Sequence, residues 1–150
     1  EYAVLLERAE TIAADFESVS TSIKQMEHRM EQIAALKTHI INYAKTRDTY
    51  AAYRKTKAAD KPAFRTAHEA DLLLHEAAKR AFDAQGVKKL PTVKVLQVEY
   101  TELLAKKKAA YEDYKRLRKE NQELQAVKSN VDTLLCIDEE QQEKKLEQNR

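Results

Sequence analysis

The sequence predicts an all-α fold, with long helices in an up-down-up three-helix bundle carrying coiled-coil extensions. Three observations lead there. The 150 residues include one Gly and two Pro, so turn-forming residues leave room for only two or three loops. Apolar side chains recur at Tyr2, Leu5, Ala9, Ile12, Phe16, Val19, Ile23, Met26, Met30 and Ile33 in alternating steps of three and four. Such a heptad seam turns one stripe of a helix toward a partner helix. A second seam of the same period occupies the last third of the chain.

The first helix meets no stop signal from Glu1 to about Ala58, enough for ~85 Å at the α-helical rise. Its seam changes phase once: Ile33 is followed by Leu36, then Ile40, Tyr43, Arg47 and Tyr50. An insertion of three overwinds a coiled coil locally, so the second half of the helix faces a different neighbour. Ala58 to Pro62 is the first break, with Asp60 suited to cap the next helix and Pro62 to its opening turn. The second helix is expected over Pro62 to Gln85, ending at Gly86 in the left-handed C′ position. Thr92 then caps a third helix, although Val95 leaves the capping box incomplete. Its seam is Val93, Leu96, Tyr100, Leu103, Lys107, Ala110, Tyr114, Leu117, Asn121, Leu124, Lys128, Val131 and Leu135. Lys107, Asn121 and Lys128 weaken that seam, and an Asn there fixes register. The polar stretch from Asp138 to Arg150 is expected to fray.

Two short loops give up, down, up, with the first and third helices parallel. The expected organisation is a coiled-coil arm over 1–35, a three-helix bundle over 36–115, and a C-terminal arm with an acidic tail over 116–150. The stripe of Leu5, Ile12, Phe16, Val19, Ile23, Met26, Met30 and Ile33 is then unpaired within the chain, which predicts a homodimer. The alternative is a break near Thr46 to Thr49 that folds the first and last helices into an antiparallel hairpin. Opening at Glu1 without Met and already in heptad phase, the sequence reads as a piece of a longer polypeptide.

Charge is unevenly placed. Tyr43 to Lys119 carries a net +9 and the two ends together −7. Within the basic middle, Lys45, Arg47, Arg54, Lys55 and Lys57 interleave with Tyr43, Tyr50 and Tyr53. Lys106, Lys107, Lys108, Lys115, Arg116, Arg118 and Lys119 interleave with Tyr111 and Tyr114. Both stretches are candidates for DNA phosphate contact, set against a solvated face of i,i+4 pairs. Catalytic chemistry is not legible. His68, Asp71 and His75 share a helical face, but zincin spacing fails, so no metal is expected. His28 and His39 are expected to be structural and Cys136 an inert, partly buried thiol. One Gly cannot make a phosphate-cradling loop, no cofactor is implied, and no run is apolar enough to insert in a membrane. The single Cys suits a reducing, cytoplasmic setting.

Tyr43 to Arg47, Tyr53 to Lys55, His68 with Leu72 to His75, and Phe82 with Gly86 form one group of motifs. Lys89 to Thr92, Tyr111 with Tyr114, and Lys128 to Leu135 form another. Together they resemble the C-terminal region of bacterial relaxases, the mobilisation nucleases of conjugative and mobilisable elements, from about Ile33 to Leu135. Relaxases nick DNA through an N-terminal Tyr and a metal held by a His cluster, and neither motif has a counterpart here. The resemblance therefore implies a bacterial, non-catalytic accessory region that serves DNA contact, dimerisation or docking on conjugation machinery. The alternative is a coiled-coil scaffold that dimerises or docks on a protein partner without binding DNA.

Overall fold

The computed structural model describes residues 1–150 and is all-α. Helix α1 spans Tyr2–Lys55, α2 Lys61–Ala67, α3 Glu69–Ala84 and α4 Val93–Gln148. No helix is long and apolar enough to cross a membrane.

Local chemistry explains each boundary. Arg54 and Lys55 occupy the last turn of α1, where cations complement the helix dipole. The chain then turns, with the Asp60 N–H donating to Lys57 O at 2.9 Å. Asp60 occupies the N-cap position of α2, but it is itself in the right-handed region and its side chain makes no capping bond. Pro62 supplies the pre-set φ of the opening turn and removes one of the amides a cap would bind. The helix expected over 62–85 is interrupted at His68, whose φ of −124° and ψ of 28° separate α2 from α3.

Gly86 closes α3 with a φ of 66°. Its N–H donates to Asp83 O at 3.2 Å, and the Val87 N–H donates to Phe82 O at 3.0 Å. These are the two bonds of a Schellman stop, and Val87 packs against the core cluster that contains Phe82. Thr92 accepts the Val95 N–H at 3.2 Å and so caps α4. Glu, Gln, Lys and Leu without Gly or Pro keep α4 helical to Gln148, where polarity alone predicted fraying.

The chain forms two compact units, Glu1–Gln25 with Lys106–Arg150, and Met26–Ala105. These boundaries differ from the expected 35/36 and 115/116. In the first unit, α1 and α4 run antiparallel. The Tyr2 hydroxyl donates to the Asp132 carboxylate, and the Phe16 and Tyr114 rings lie 5.1 Å apart. Ala9, Ile23 and Leu117 are buried along this line. The α4 seam positions from Lys107 to Val131 are all buried or half-buried, whereas Leu135 is exposed.

In the second unit, α1 is flanked in succession by the helices that follow it. Tyr53 meets Phe64, Tyr50 and Thr46 meet His75, and Tyr43 and His39 meet Phe82. Lys37 then bonds Gln97, and Arg29 forms a two-point pair with Glu99 at 2.7 and 3.1 Å. Both α3 and α4 therefore run opposite to α1, and the connection through Gly86 to Thr92 does not reverse the chain. Ile33, Leu36, Ala78, Phe82 and Leu96 form the core where these helices meet. The phase change after Ile33 sits at that junction: α1 faces α4 before it and mainly α3 beyond it.

The N-terminal stripe is therefore paired within the chain and not left free for a second copy. The first and third long helices are antiparallel in each unit, as in the hairpin alternative, but α1 is unbroken at Thr46 to Thr49. Ile23, Met30 and Ile33 are buried within the chain, and Leu5, Ile12, Phe16, Val19 and Met26 are half-buried. The stripe offered for a second copy is covered by the chain's own helices, because a helix of the same period lies antiparallel to it.

Candidate functional site

The feature that least resembles a plain helix bundle lies in the second unit. Tyr43 and Tyr50 are one heptad apart on α1, and the His75 ring of α3 stacks against both. The ring centroids are 4.5 Å apart with a 22° tilt on the Tyr43 side, and 4.2 Å with 18° on the Tyr50 side. Thr46, between the tyrosines in sequence, places its Oγ1 2.7 Å from Asn42 O and 3.0 Å from His75 Nδ1. Its one hydroxyl proton goes to the Asn42 carbonyl, the usual back-bond of a mid-helix Thr. Oγ1 then accepts from His75 Nδ1–H, which leaves Nε2 as the unprotonated nitrogen.

Thr46 and His75 are the buried polar residues of the fold, at 1% and 3% exposure. Burial pushes the His75 pKa below its ordinary 6.5, Lys79 adds to the effect and Glu76 opposes it. The imidazole is therefore neutral at pH 7. Glu76 itself is held below the usual carboxylate range by the fork of Arg65, whose two nitrogens lie 2.9 Å from its oxygens. That pair joins α2 to α3. Lys61 and Arg65 also lie over the Tyr53 ring, at 5.2 and 5.7 Å.

A cavity of about 180 Å³ opens against the stack, lined by Tyr43, Arg47, Tyr50, Ala51, Arg54, His75 and Lys79. Three cations and no carboxylate line it. Arg47 and Arg54 are one heptad apart on α1, while Lys79 is one turn beyond His75 on α3. None of the three takes part in an ion pair. Lys45, Lys55 and Lys57 are exposed at the same end of α1 or just past it, outside the cavity.

The second basic stretch, in the other unit, is arranged differently. Lys106, Lys107 and Lys108 are consecutive on a helix and so point about 100° apart rather than to one surface. Lys107 is half-buried on the seam, 5.7 Å from the Tyr111 ring centroid. Lys115 pairs with Glu112 and Arg116 with Asp113, each at 3.5 Å. Arg118 and Lys119 are exposed. No family model, curated protein or solved structure matches the chain.

Two site residues were not legible in the sequence. Lys79 lies outside both basic stretches, and the seam points to Arg47 as the inward position where the structure buries Thr46 and exposes Arg47. Steps of three and four fit either 43-46-50 or 43-47-50; the side chain able to bond its own helix at i−4 was the available signal. His68 and His75 belong to no group of three ligating side chains. His68 instead packs on Phe64 at 4.4 Å. Cys136 is exposed rather than partly buried.

Proposed function

We propose that the chain is a non-catalytic helical accessory module of a DNA-mobilisation protein and contacts nucleic-acid phosphates through the basic end of its second unit. The observation that carries this reading is the group of Arg47, Arg54 and Lys79 around an aromatic stack without a carboxylate among them. Cations held together without counter-charges repel one another, and a polyanion relieves that repulsion. Lys45, Lys55 and Lys57 add positive charge at the same end of the unit, and the resemblance to relaxases supports DNA as the polyanion. Contact of this kind is independent of sequence, so an attached nuclease would supply specificity.

Fluorescence anisotropy with single- and double-stranded oligonucleotides at rising salt tests the reading. Binding is expected to weaken steeply with salt, and the combined Arg54→Gln and Lys55→Gln change to reduce the logarithmic slope by roughly 1 to 2. Retention of affinity and slope in that variant would remove the assignment. Changing Lys106, Lys107 and Lys108 to Glu asks the same of the other stretch and is expected to matter less.

A protein-docking scaffold is the competing reading. It is favoured by Val127, Leu134 and Ile137, which lie along one stripe of α4 and are 46%, 66% and 46% exposed. Salt-insensitive association with transfer-machinery proteins, without DNA binding, would support it instead.

A further inference from the structure

We propose that the cavity against the Tyr43, His75 and Tyr50 stack is a seat for a single phosphate group, clamped by Arg47, Arg54 and Lys79 beside the edge of the His75 ring. The proposal rests on the nucleic-acid reading only for the source of the phosphate.

Size sets the ligand class. At about 180 Å³ the space is smaller than the ~300 Å³ at which small-molecule pockets begin, and equals a handful of waters. It accepts one tetrahedral anion with part of its hydration shell, whereas a whole nucleoside would not enter. Charge sets the sign, since every formally charged group on its wall is cationic. Geometry favours phosphate over a carboxylate: two guanidinium forks and an ammonium present more donors than two oxygens can accept.

His75 gives the seat a property that a surface patch lacks. Its Nδ1 proton is committed to Thr46, so any further interaction of the ring is through Nε2. The neighbouring charges are Glu76 and Lys79 on its own helix, and Arg47 and Arg54 on α1 beside the phenols of Tyr43 and Tyr50. Glu76 is already taken by Arg65. An anion in the seat offsets the cations that disfavour imidazolium and gives a protonated Nε2 an acceptor. Occupancy therefore raises the affinity of His75 for its proton, and by reciprocity protonation tightens the anion.

NMR of the four histidine imidazoles, titrated with sodium sulfate and then inorganic phosphate against chloride of equal ionic strength, tests the seat. Sulfate serves because its charge is constant while His75 titrates. The expected result is a saturable shift of His75 with His28 unmoved, and a His75 pKa raised by roughly one unit, equivalent to about tenfold tighter sulfate binding to the protonated form. Arg47→Gln and Lys79→Gln, both at exposed positions, should each weaken sulfate by about tenfold or more while the ring stack persists. A His75 resonance that sulfate and phosphate move no more than chloride does, or variants that bind as the parent does, would overturn the proposal. Displacement of sulfate by a short single-stranded oligonucleotide assigns the seat to a phosphodiester. Sulfate binding without oligonucleotide binding keeps the seat and removes the DNA reading. Oligonucleotide binding that leaves His75 unmoved does the reverse.

Discussion

The two units bury their apolar surface in different ways. In the unit of Glu1–Gln25 and Lys106–Arg150, two antiparallel helix segments share one seam, and most seam positions stay half-buried because two helices cannot enclose a side chain on every side. In the unit of Met26–Ala105, a third helix closes the remaining side, and Ile33, Leu72, Leu96 and Thr46 are almost fully buried. That unit also buries a polar pair, Thr46 of α1 and His75 of α3, each the hydrogen-bond partner of the other. The candidate site, built from α1 and α3, borders that three-helix core, against which Tyr43 packs.

The largest test of that contrast removes one core side chain from each unit. Leu96→Ala, at a position 1% exposed, should cost about 3 kcal/mol in denaturant unfolding, whereas Leu124→Ala in the two-helix unit should cost about half as much or less. Equal losses would show that the third helix adds no enclosure.

Next in size is the buried polar pair. Thr46→Val keeps the shape but leaves His75 Nδ1–H without its acceptor, and a loss of about 1–3 kcal/mol is expected. Thr46→Ser should recover most of it.

The same pair predicts a pH dependence. Because the folded pKa of His75 lies below 6.5, the unfolded chain takes up the proton first. Stability should be constant above that value and fall as pH drops from it toward the folded pKa. In His75→Phe this loss should vanish. The Arg29 and Arg65 partners Glu99 and Glu76, whose pKa values are held below 4.5, lose their contribution only as pH falls below that value.

The two-helix unit has a polar defect of its own. Asn121 Oδ1 is buried without a hydrogen-bond partner, so Asn121→Leu should stabilise the chain by about 1 kcal/mol. Destabilisation would show that the amide is bonded in solution. The smallest effect belongs to Arg29→Gln. Its pair with Glu99 is about 40% exposed, and a loss below about 1 kcal/mol, shrinking with salt, is expected from thermal melts.

Much of this fold was legible because helix period and stop signals are local. The α4 seam from Val93 to Val131 coincides with its least exposed positions, and Gly86 and Thr92 occupy their expected caps. The change of phase after Ile33 correctly announced a change of neighbour. Direction was not legible. A seam states which stripe is buried, not which helix buries it, and a loop of seven residues from Gly86 to Thr92 can either reverse a chain or carry it onward. The candidate site was half legible for the same reason. Arg47 and Arg54 stood out as basic residues among tyrosines, while Lys79 and His75 joined them only through packing from another helix.

The N-terminal seam is closed by the chain's own α4. Electron–electron spin distances between labels at Glu10 and Gln122, with Cys136→Ser, test it most directly, measured alone and again in a large excess of unlabelled protein. Both positions are exposed, and packed helix axes lie ~8–10 Å apart, so a short separation is expected. A short distance that keeps its full amplitude after dilution is the predicted result. Loss of that distance on dilution would mean that a second molecule, not the chain's own α4, closes the seam.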